Sequence, residues 1–293
     1  MIKNYTIIVC TYNGAYFISQ QLESILMQTI PPSEIIISDD YSSDNTLEIV
    51  QQICQKFQFS NLEIRMGQKL GVVHNFLSTI AYAKSEYIFL ADQDDIWLPN
   101  KAEEFLNAFA KLEQNQPTLV FSDASLIDGQ GNKLSESFFA YQGISQNIMK
   151  DDSILYRNCV QGASCAINRS LQQLVVESLS LININNLYMH DWWIALLARY
   201  YGQYQYINKP LLEYRQHGKN QVGVFNKKFR FIYYITRFKQ YLNNFKLSIK
   251  QVKEFESFTQ NYTKKKARLL VKEKRVYISV SKLKVVIIKL LRI

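Results

Sequence analysis

The sequence predicts an α/β fold in which a mostly parallel sheet, flanked by helices, is followed by a mixed second half. Through the first hundred residues, short β-branched runs alternate with longer amphipathic runs. After Asp95 the rhythm changes to strands separated by irregular or helical segments. From about Asn226 the chain is helical in pattern and contains no Pro or Gly. We therefore expect a domain over residues 1–223 and a basic helical extension over residues 224–293.

Four strands are predicted in the first half, because short runs rich in Ile and Val fit the buried strands of a parallel sheet. They are Thr6–Val9, Ile35–Ser38, Leu62–Arg65 and Tyr87–Ala91. Apolar residues at helical spacing predict three connecting helices, at Ala15–Met27, Thr46–Lys56 and Asn75–Ala83. This alternation favours a parallel sheet with helices on both of its faces.

The second half is expected to complete a binding cleft. Its predicted strands are Leu119–Ser122, Gly162–Ile167, Tyr204–Ile207 and Leu211–Arg215. An apolar helix is predicted at Ile194–Tyr200.

Charge is divided unevenly along the chain, whose total is +9 over 293 residues. Residues 226–293 carry 19 Lys and Arg against 3 Glu, a net +16, which leaves 15 against 22, a net −7, for residues 1–225. A basic amphipathic segment can lie on an anionic membrane surface. It can equally be a dimerisation or packing module with a solvated face, and the sequence leaves both alternatives open.

Cysteine spacing and hydropathy point to the cytoplasm. The four cysteines form no CxxC pair, so we expect buried free thiols in a reducing compartment: Cys10, Cys54, Cys159 and Cys165. The first residues lack a charged leader followed by a long apolar run, so we expect no signal peptide. The most apolar stretch, Val276–Ile293, is interrupted by three lysines, and we predict no membrane span.

Polar groups follow the predicted strands, at the sheet edge where open parallel sheets bind ligands. Three groups directly follow strands: Thr11-Tyr12-Asn13-Gly14, Asp39-Asp40 and Asp92-Gln93-Asp94-Asp95. A fourth group, His190-Asp191-Trp192-Trp193, lies far downstream at the start of the predicted apolar helix. In the group after the fourth strand, the carboxylates of Asp92, Asp94 and Asp95 repel one another unless a positive charge compensates them. A divalent cation such as Mg²⁺ or Mn²⁺ would do so through oxygen ligands. A solvated acidic loop or a helix N-cap is the alternative explanation of that group.

The other groups suit the recognition of a substrate, although each has a structural alternative. Asp40 could accept a hydrogen bond from a pyrimidine base, and a partly desolvated Asp191 could deprotonate a hydroxyl. Trp192 and Trp193 could offer ring faces to a sugar, or they could belong to the core beneath an N-cap aspartate. The loop Arg215–Asn220 offers cationic groups suited to a diphosphate, or is a solvated surface.

Taken together, six segments resemble the family 2 glycosyltransferases, which share the GT-A fold. They occur in the family's order over roughly residues 4–220: IIVCTYNGAYFISQQLESILMQT, EIIISDDYSSDNT, GVVHNF, YIFLADQDDIWLPNKAE, HDWW and YRQHGKN. The resemblance implies an inverting transferase that forms no covalent glycosyl-enzyme intermediate. Its more usual Gly-x-x-x-Ala-Arg-Asn segment is here Gly71–Phe76, which lacks the arginine.

The resemblance also implies roles for individual residues. The donor nucleotide would be bound by Thr11, Tyr12, Asn13, Asp40, Asp92, Asp94, Arg215 and Lys219. The metal, Mg²⁺ or Mn²⁺, would be held by Asp94 and Asp95. Asp191 would be the catalytic base, and the acceptor would contact His190, Trp192 and Trp193.

The DQDDIW, HDWW and RQHG-N spellings look most like bacterial rhamnosyltransferases of O-antigen, capsule or cell-wall polysaccharide synthesis. This implies dTDP-L-rhamnose as donor, with a UDP-sugar as the alternative, and a saccharide acceptor carried on a polyprenyl lipid. We expect a cytoplasmic protein on the inner membrane face, its extension contacting anionic lipid or a second copy of the chain. A nucleic-acid-binding protein would need a basic groove, yet the positive charge avoids the motif-bearing body. An inactive nucleotide-sugar-binding relative would be expected to have lost carboxylates that are present here.

Overall fold

The computed structural model describes residues 4–217 and 238–267, with side chains of the second segment described over 242–263. Its strands are β1 (Tyr5–Thr11), β2 (Glu34–Asp39), β3 (Leu62–Met66), β4 (Tyr87–Ala91), β5 (Ile96–Trp97), β6 (Thr118–Asp128), β7 (Lys133–Ser135), β8 (Cys165–Asn168) and β9 (Gln203–Gln216). Its α-helices are α1 (Ile18–Leu26), α2 (Thr46–Lys56), α3 (Val72–Thr79), α4 (Lys101–Phe109), α5 (Phe138–Gln142), α6 (Arg169–Leu179), α7 (His190–Tyr201) and α8 (Phe238–Ala267).

One sheet runs through the described part of the chain in the order β3-β2-β1-β4-β8-β6-β9-β5, with β7 paired to β6. The strands β3, β2, β1 and β4 are mutually parallel. Their carboxyl ends therefore meet at one edge, where Thr11 lies opposite Asp39. The strand β8 runs antiparallel to both β4 and β6, whereas β9 runs parallel to β6. The predicted α/β fold, with a parallel first half and a mixed second half, is confirmed.

Several element boundaries differ from the predicted ones. The two strands predicted at Tyr204–Ile207 and Leu211–Arg215 are one continuous strand, β9. Pro210 sits where the register with β6 shifts, a position that tolerates a residue without an N–H. The strand predicted from Gly162 begins as a 3₁₀ turn and becomes β8 only at Cys165. The helix predicted from Asn75 begins earlier, at Val72.

The core lies on both faces of the sheet, because successive side chains of a strand point to opposite sides. In β1, Ile7 and Val9 pack into one layer while Ile8 packs into the other. All seven residues of β1 are buried, as expected for a central parallel strand. The four cysteines are buried free thiols, as the sequence predicted.

The helix α8 packs on the body. Its Phe255 and Phe258 make edge contacts with the Trp193 ring of α7, at centroid distances of 5.7 and 5.8 Å. The predicted boundary near Gly223 lies outside the described residues. Within residues 4–217 and 238–267, no helix is long and apolar enough to cross a membrane.

Candidate active site

The loop after β1 is fastened to the acidic loop after β4 by one side chain, Gln93. The backbone N–H of Tyr12 donates to Oε1 of Gln93 over 2.8 Å, and Nε2 of Gln93 donates back to the Tyr12 carbonyl over 3.1 Å. A Cβ at Gly14 would lie 2.3 Å from that Oε1, so a larger residue at position 14 would displace the Gln93 amide. Both loops are thereby kept in a fixed relation at the carboxyl edge of the sheet.

The two aspartates that follow β2 have different partners. Asp39 is fully buried and accepts hydrogen bonds from the hydroxyls of Thr11 and Ser42, over 2.7 and 2.6 Å. Asp40 accepts the backbone N–H groups of Lys69 and Gly71, over 2.6 and 2.9 Å. Asp39 therefore braces the turn. Asp40 stabilises the loop after β3 and keeps its carboxylate at the site, since each oxygen can accept a further hydrogen bond.

The acidic loop after β4 sends its carboxylates in different directions. Oδ2 of Asp94 lies 2.7 Å from Nε2 of His217. Asp95 is 1% exposed, and its Oδ1 accepts the backbone N–H of Arg215 over 3.0 Å. Burial, reinforced by the charges of Asp94 and Asp92, raises the pKa of Asp95 well above its usual value. Asp94 thus faces the site while Asp95 is directed into the protein.

Arg215, predicted to bind the donor, is 3% exposed and is occupied by the protein itself. Its Nε donates to the carbonyl of Asp94 and its Nη2 to Oε1 of Gln20, each over 2.8 Å. Its guanidinium also lies 4.8 Å from the centroid of the Phe17 ring. The side chain holds the acidic loop against α1 rather than extending toward a ligand. Lys219, the other predicted cation, lies outside the described residues.

His217 lies in the loop Arg215–Asn220, which the sequence linked to a diphosphate, but no role of its own was assigned to it from the sequence. Its ring stacks on Phe17 at a centroid distance of 5.0 Å, which fixes the imidazole beside Asp94. Its proximity to an aspartate in a distant segment is a tertiary feature that the sequence pattern did not reveal.

The acidic loop and His217 fit a divalent cation. Within the described ranges, Oδ2 of Asp95 is buried without a hydrogen-bond partner, so the protein alone leaves this carboxyl group unsatisfied. A carboxylate and an imidazole suit Mn²⁺, and sites of this kind complete their shell with water and phosphate oxygens. No three His, Cys, Asp or Glu side chains converge as ligands within residues 4–217 and 238–267. Substrate oxygens would therefore have to supply part of the shell.

Asp191 lies in the first turn of α7 and is 5% exposed. Its Oδ2 accepts the backbone N–H of Gly162 over 2.9 Å, and its Oδ1 accepts Nδ2 of Asn158 over 3.1 Å. Burial raises the pKa of Asp191 to about 7, against the lowering effect of these hydrogen bonds. A carboxylate with such a pKa can take a proton from a hydroxyl near neutral pH.

Asp191 and the acidic loop share one site. Burial, together with the charges of Asp94 and Asp191, raises the pKa of Asp92 to about 7, against the lowering effect of Lys101. Asp191 is therefore close enough to the acidic loop to act on it electrostatically. The sheet edge brings together four of the predicted residues from separate segments: Asp40, Asp92, Asp94 and Asp191.

The other residues of the HDWW segment belong to the core. Trp193 is fully buried and its Nε1 donates to the hydroxyl of Ser178, while Trp192 is 3% exposed. His190 stacks on Phe76 at 4.1 Å, and burial lowers the pKa of its imidazole to about 3. These rings therefore present no open face to an acceptor and instead support the backbone around Asp191.

Lys101, the first residue of α4, is a fully buried cation that sequence reasoning missed. Its Nζ donates to the carbonyl of Ala163 over 2.6 Å and lies 3.7 Å from the centroid of the Trp97 ring. Burial lowers its pKa to about 7, although the charges of Asp95 and Asp92 oppose the shift. Lys101 therefore braces the turn whose Gly162 N–H binds Asp191.

Comparison with known sequences shows which family the chain resembles. The model of glycosyl transferase family 2 matches residues 6–170. The dTDP-rhamnosyl transferase RfbG of Shigella flexneri is 30% identical over 233 residues, which cover 73% of each chain. The UDP-Glc:alpha-D-GlcNAc-diphosphoundecaprenol beta-1,3-glucosyltransferase WfgD of Escherichia coli is 28% identical over 196 residues, 66% of this chain and 69% of that protein.

Solved structures show the same fold at low sequence identity. S. aureus TarS 1-349 in complex with UDP-GlcNAc superimposes with a TM-score of 0.54 and 16% identity, covering 74% of this chain and 60% of that one. The mannosyltransferase PcManGT from Pyrobaculum calidifontis, in complex with GDP-Man and Mn²⁺, gives a TM-score of 0.54 and 15% identity, covering 93% and 66%. The likeness establishes the GT-A fold that the motifs implied.

Proposed function

The chain belongs to glycosyl transferase family 2 and is a glycosyltransferase, and we propose that it transfers L-rhamnose from dTDP-L-rhamnose to a saccharide acceptor. The similarity to RfbG over 73% of both chains supports this donor. A UDP-sugar is the second candidate, because WfgD is a UDP-Glc-dependent relative over a similar length. The observation that carries the proposal is the buried Asp191 in the first turn of α7, close enough to the acidic loop for its charge to act on Asp92.

The donor nucleotide would lie over the loop after β1. In the proposal, Thr11, Tyr12 and Asn13 line its pocket, and Asp40 accepts the N3–H of the pyrimidine. The backbone of this loop is already held, by Gln93 at Tyr12 and by Ser42 at the N–H of Asn13, over 2.8 Å each. A pocket fixed before binding loses less entropy when the ligand arrives.

Asp191 would act as the general base. It would take the proton of an acceptor hydroxyl while that oxygen forms a bond to the anomeric carbon. The bond between this carbon and the diphosphate oxygen would break in the same step, and the nucleoside diphosphate would leave with the bonding electrons. A single displacement inverts the anomeric configuration and requires no covalent intermediate.

The diphosphate would be bound beside Asp92 and Asp94. Asp94, together with His217, would hold Mg²⁺ or Mn²⁺, and the ion supplies neutralisation of the charge that develops on the leaving group. Asp95 was also predicted as a metal ligand. Its burial and its bond to the N–H of Arg215 favour a supporting role behind Asp94.

The acceptor is proposed to be carried on a polyprenyl lipid at the inner face of the cell membrane. Residues 226–293 carry a net +16, and anionic lipid attracts such a segment. The name of WfgD describes a diphosphoundecaprenol-linked acceptor, which is consistent with this class of substrate.

Calorimetric titration of the purified chain with a panel of nucleotide-sugars, with and without Mn²⁺, tests the proposal. The parent is compared with Asp94→Ala and with Glu136→Ala as a matched carboxylate control, since the Glu136 side chain is 79% exposed. We expect Mn²⁺-dependent binding of dTDP-rhamnose by the parent and the control, and its loss in Asp94→Ala. Transfer itself is followed by release of dTDP when an acceptor extract is added.

Three other outcomes would each change a different part of the proposal. Selective binding of a UDP-sugar would replace the donor while retaining the reaction class. Binding that does not change between Asp94→Ala and the parent would remove the metal assignment. A parent that binds no nucleotide-sugar of the panel would overturn the proposed substrate class.

A further inference from the structure

The segment between α6 and α7 leads to Asp191, and α8, a helix distant in the sequence, fixes the position of this segment. The backbone N–H groups of Tyr188 and Met189 both donate to Oε1 of Gln251 in α8, over 2.8 and 3.1 Å. Met189 is the N-cap residue of α7, and its side chain makes no capping hydrogen bond. The backbone immediately before Asp191 therefore depends on an acceptor from another part of the chain.

Glu254, less than one helical turn further along α8, holds the start of the same segment. Its Oε2 accepts the backbone N–H of Asn183 over 3.1 Å, and its Oε1 accepts Nδ2 of Asn186 over 2.6 Å. A contact with α3 also holds this segment: Nε2 of His74 lies 3.0 Å from Oδ1 of Asn185. The segment is thus held by contacts with α8 and with α3, the helix that follows β3.

The position of Gln251 makes these contacts costly to lose. Gln251 is 1% exposed and lies on the face of α8 that also buries Val252 and Phe255. If its oxygen were removed, two partly buried N–H groups would lose their acceptor, and an apolar neighbourhood offers no substitute. The first turn of α7 would then lose one of the contacts that fix it relative to the sheet.

We propose that α8 is part of the catalytic unit, with Gln251 and Glu254 as positioning residues that fix Asp191 through residues 183–189. The inference rests on the proposed role of Asp191 as the base, and it extends that role to a helix beyond residues 6–170, the range matched by the family model. Reactive groups that are misplaced by about 1 Å can lose about 100-fold in rate. The effect is therefore expected on the chemical step rather than on donor binding.

The test uses three variants of the full chain. Gln251→Leu removes the acceptor oxygen, while Gln251→Glu keeps an acceptor at the same position in either protonation state. Ser248→Ala is the matched control, because this buried hydroxyl donates to the carbonyl of Phe245 within α8 itself, over 2.7 Å. The measurements are kcat, the KM values of donor and acceptor, and amide hydrogen exchange of the peptide covering residues 183–191.

For Gln251→Leu we expect kcat to fall by about 10- to 100-fold with a donor KM within about twofold of the parent. Exchange in residues 183–191 should be faster in this variant. Gln251→Glu should recover most of the lost kcat, and Ser248→Ala should match the parent in both measurements. A kcat per folded molecule that is unchanged in Gln251→Leu, or a peptide that exchanges as slowly as in the parent, would overturn the proposal.

Failure of the proposed function would look different. In that case Asp191→Asn would transfer sugar as fast as the parent, or the parent would transfer none. Exchange of residues 183–191 would still respond to Gln251→Leu. The structural contact would then stand, and its role in catalysis would be overturned together with the base.

Discussion

The aspartates Asp39, Asp95 and Asp191 differ in the groups from which their oxygens accept hydrogen bonds, although all three accept them from the protein. Asp39 bonds the Thr11 and Ser42 hydroxyls, and Asp95 bonds the N–H of Arg215. Asp191 also accepts backbone N–H groups, yet burial still raises its pKa to about 7. Hydrogen bonds to a carboxylate lower its pKa and burial raises it, so in Asp191 burial has the larger effect. With a pKa of about 7, Asp191 is partly ionised near neutral pH and can both take up and release a proton.

The raised pKa of Asp191 predicts the pH dependence of transfer. The carboxylate must be ionised to accept a proton, so kcat/KM for the acceptor should rise with pH and level off above about pH 7. Below that value it should fall about tenfold per pH unit, because only the ionised fraction reacts. Initial rates between pH 5 and 9 measure the profile. A rate that is independent of pH over this range would contradict the assignment.

Replacement of the base gives a second, independent observation. Asp191→Asn keeps the size of the side chain and an oxygen that can accept the N–H of Gly162. Removal of a general base costs about 10²- to 10⁴-fold in rate, and we expect kcat to fall by that amount. Calorimetry should find the affinity for the donor unchanged, which would show that the fold is intact.

The contact between Gly14 and Gln93 predicts non-additive substitutions. In Gly14→Ala the new Cβ would lie 2.3 Å from Oε1 of Gln93, so the amide must move and lose its bonds to Tyr12. We expect a donor KM raised by about tenfold, the equivalent of about 1.4 kcal/mol of lost binding. In a Gln93→Ala background the same substitution should add little, because the atoms it displaces are gone. Steady-state kinetics of the two single variants and the double variant measure the coupling, and strictly additive effects would contradict it.

Individual site residues could be predicted from sequence only where a motif follows a strand directly or begins a helix. Asp40 and Asp94 were predicted from the strands, because parallel strands bring their carboxyl ends to one edge, whereas Asp191 was predicted from the HDWW segment at the start of a helix. Lys101, His217 and Gln251 depend on contacts over long separations in sequence, and no local pattern distinguishes them from surface residues. Arg215 has the charge expected of a phosphate ligand, and only its burial reveals that it holds the acidic loop.

For helices and strands, strong periodicity in the sequence predicted that an element exists and which type it is better than it predicted where the element begins and ends. The helix α2 has the predicted limits, Thr46 and Lys56. The strand β6 extends to Asp128, well beyond the predicted Ser122, because pairing with β9 continues through residues 123–128, where polar and apolar residues are mixed. Tertiary pairing of this kind is not encoded in a local window of sequence.

The docking of α8 predicts a stability effect at its aromatic contacts. Phe258 is fully buried, and its ring lies 5.5 Å from that of Tyr201 and 5.8 Å from that of Trp193. Phe258→Ala should lower the free energy of unfolding by about 3 to 5 kcal/mol, through lost burial and the cavity that remains. Gln260→Ala, at an exposed position of the same helix, should change it by less than about 0.5 kcal/mol. Urea denaturation measures both, and equal midpoints would show that α8 contributes nothing to the cooperative unit.

At the scale of the whole molecule, charge and chemistry occupy different parts of the chain. Residues 1–225 carry a net −7 and all of the proposed catalytic groups, whereas residues 226–293 carry a net +16. The helix α8 belongs to the basic part and packs on the body. Its buried face contacts the segment that leads to Asp191, while its opposite face exposes Lys246, Lys250 and Lys253. An anionic surface bound by these lysines would therefore contact α8, the helix whose Gln251 and Glu254 hold the segment before Asp191.

This division predicts salt-sensitive binding to anionic membranes. Each lysine near an anionic surface contributes about 1 kcal/mol, and the attraction is screened within about 10 Å at 0.1 M salt. Replacing Lys246, Lys250 and Lys253 with Glu should therefore reduce sedimentation with phosphatidylserine vesicles, and the loss should be greatest at low ionic strength. The matched control replaces three exposed lysines of the acidic body, Lys111, Lys133 and Lys150, and changes the net charge equally. If both triple variants lose binding equally, net charge governs association. If neither does, α8 is not the membrane-facing element, and a second copy of the chain becomes the partner to test by sedimentation equilibrium.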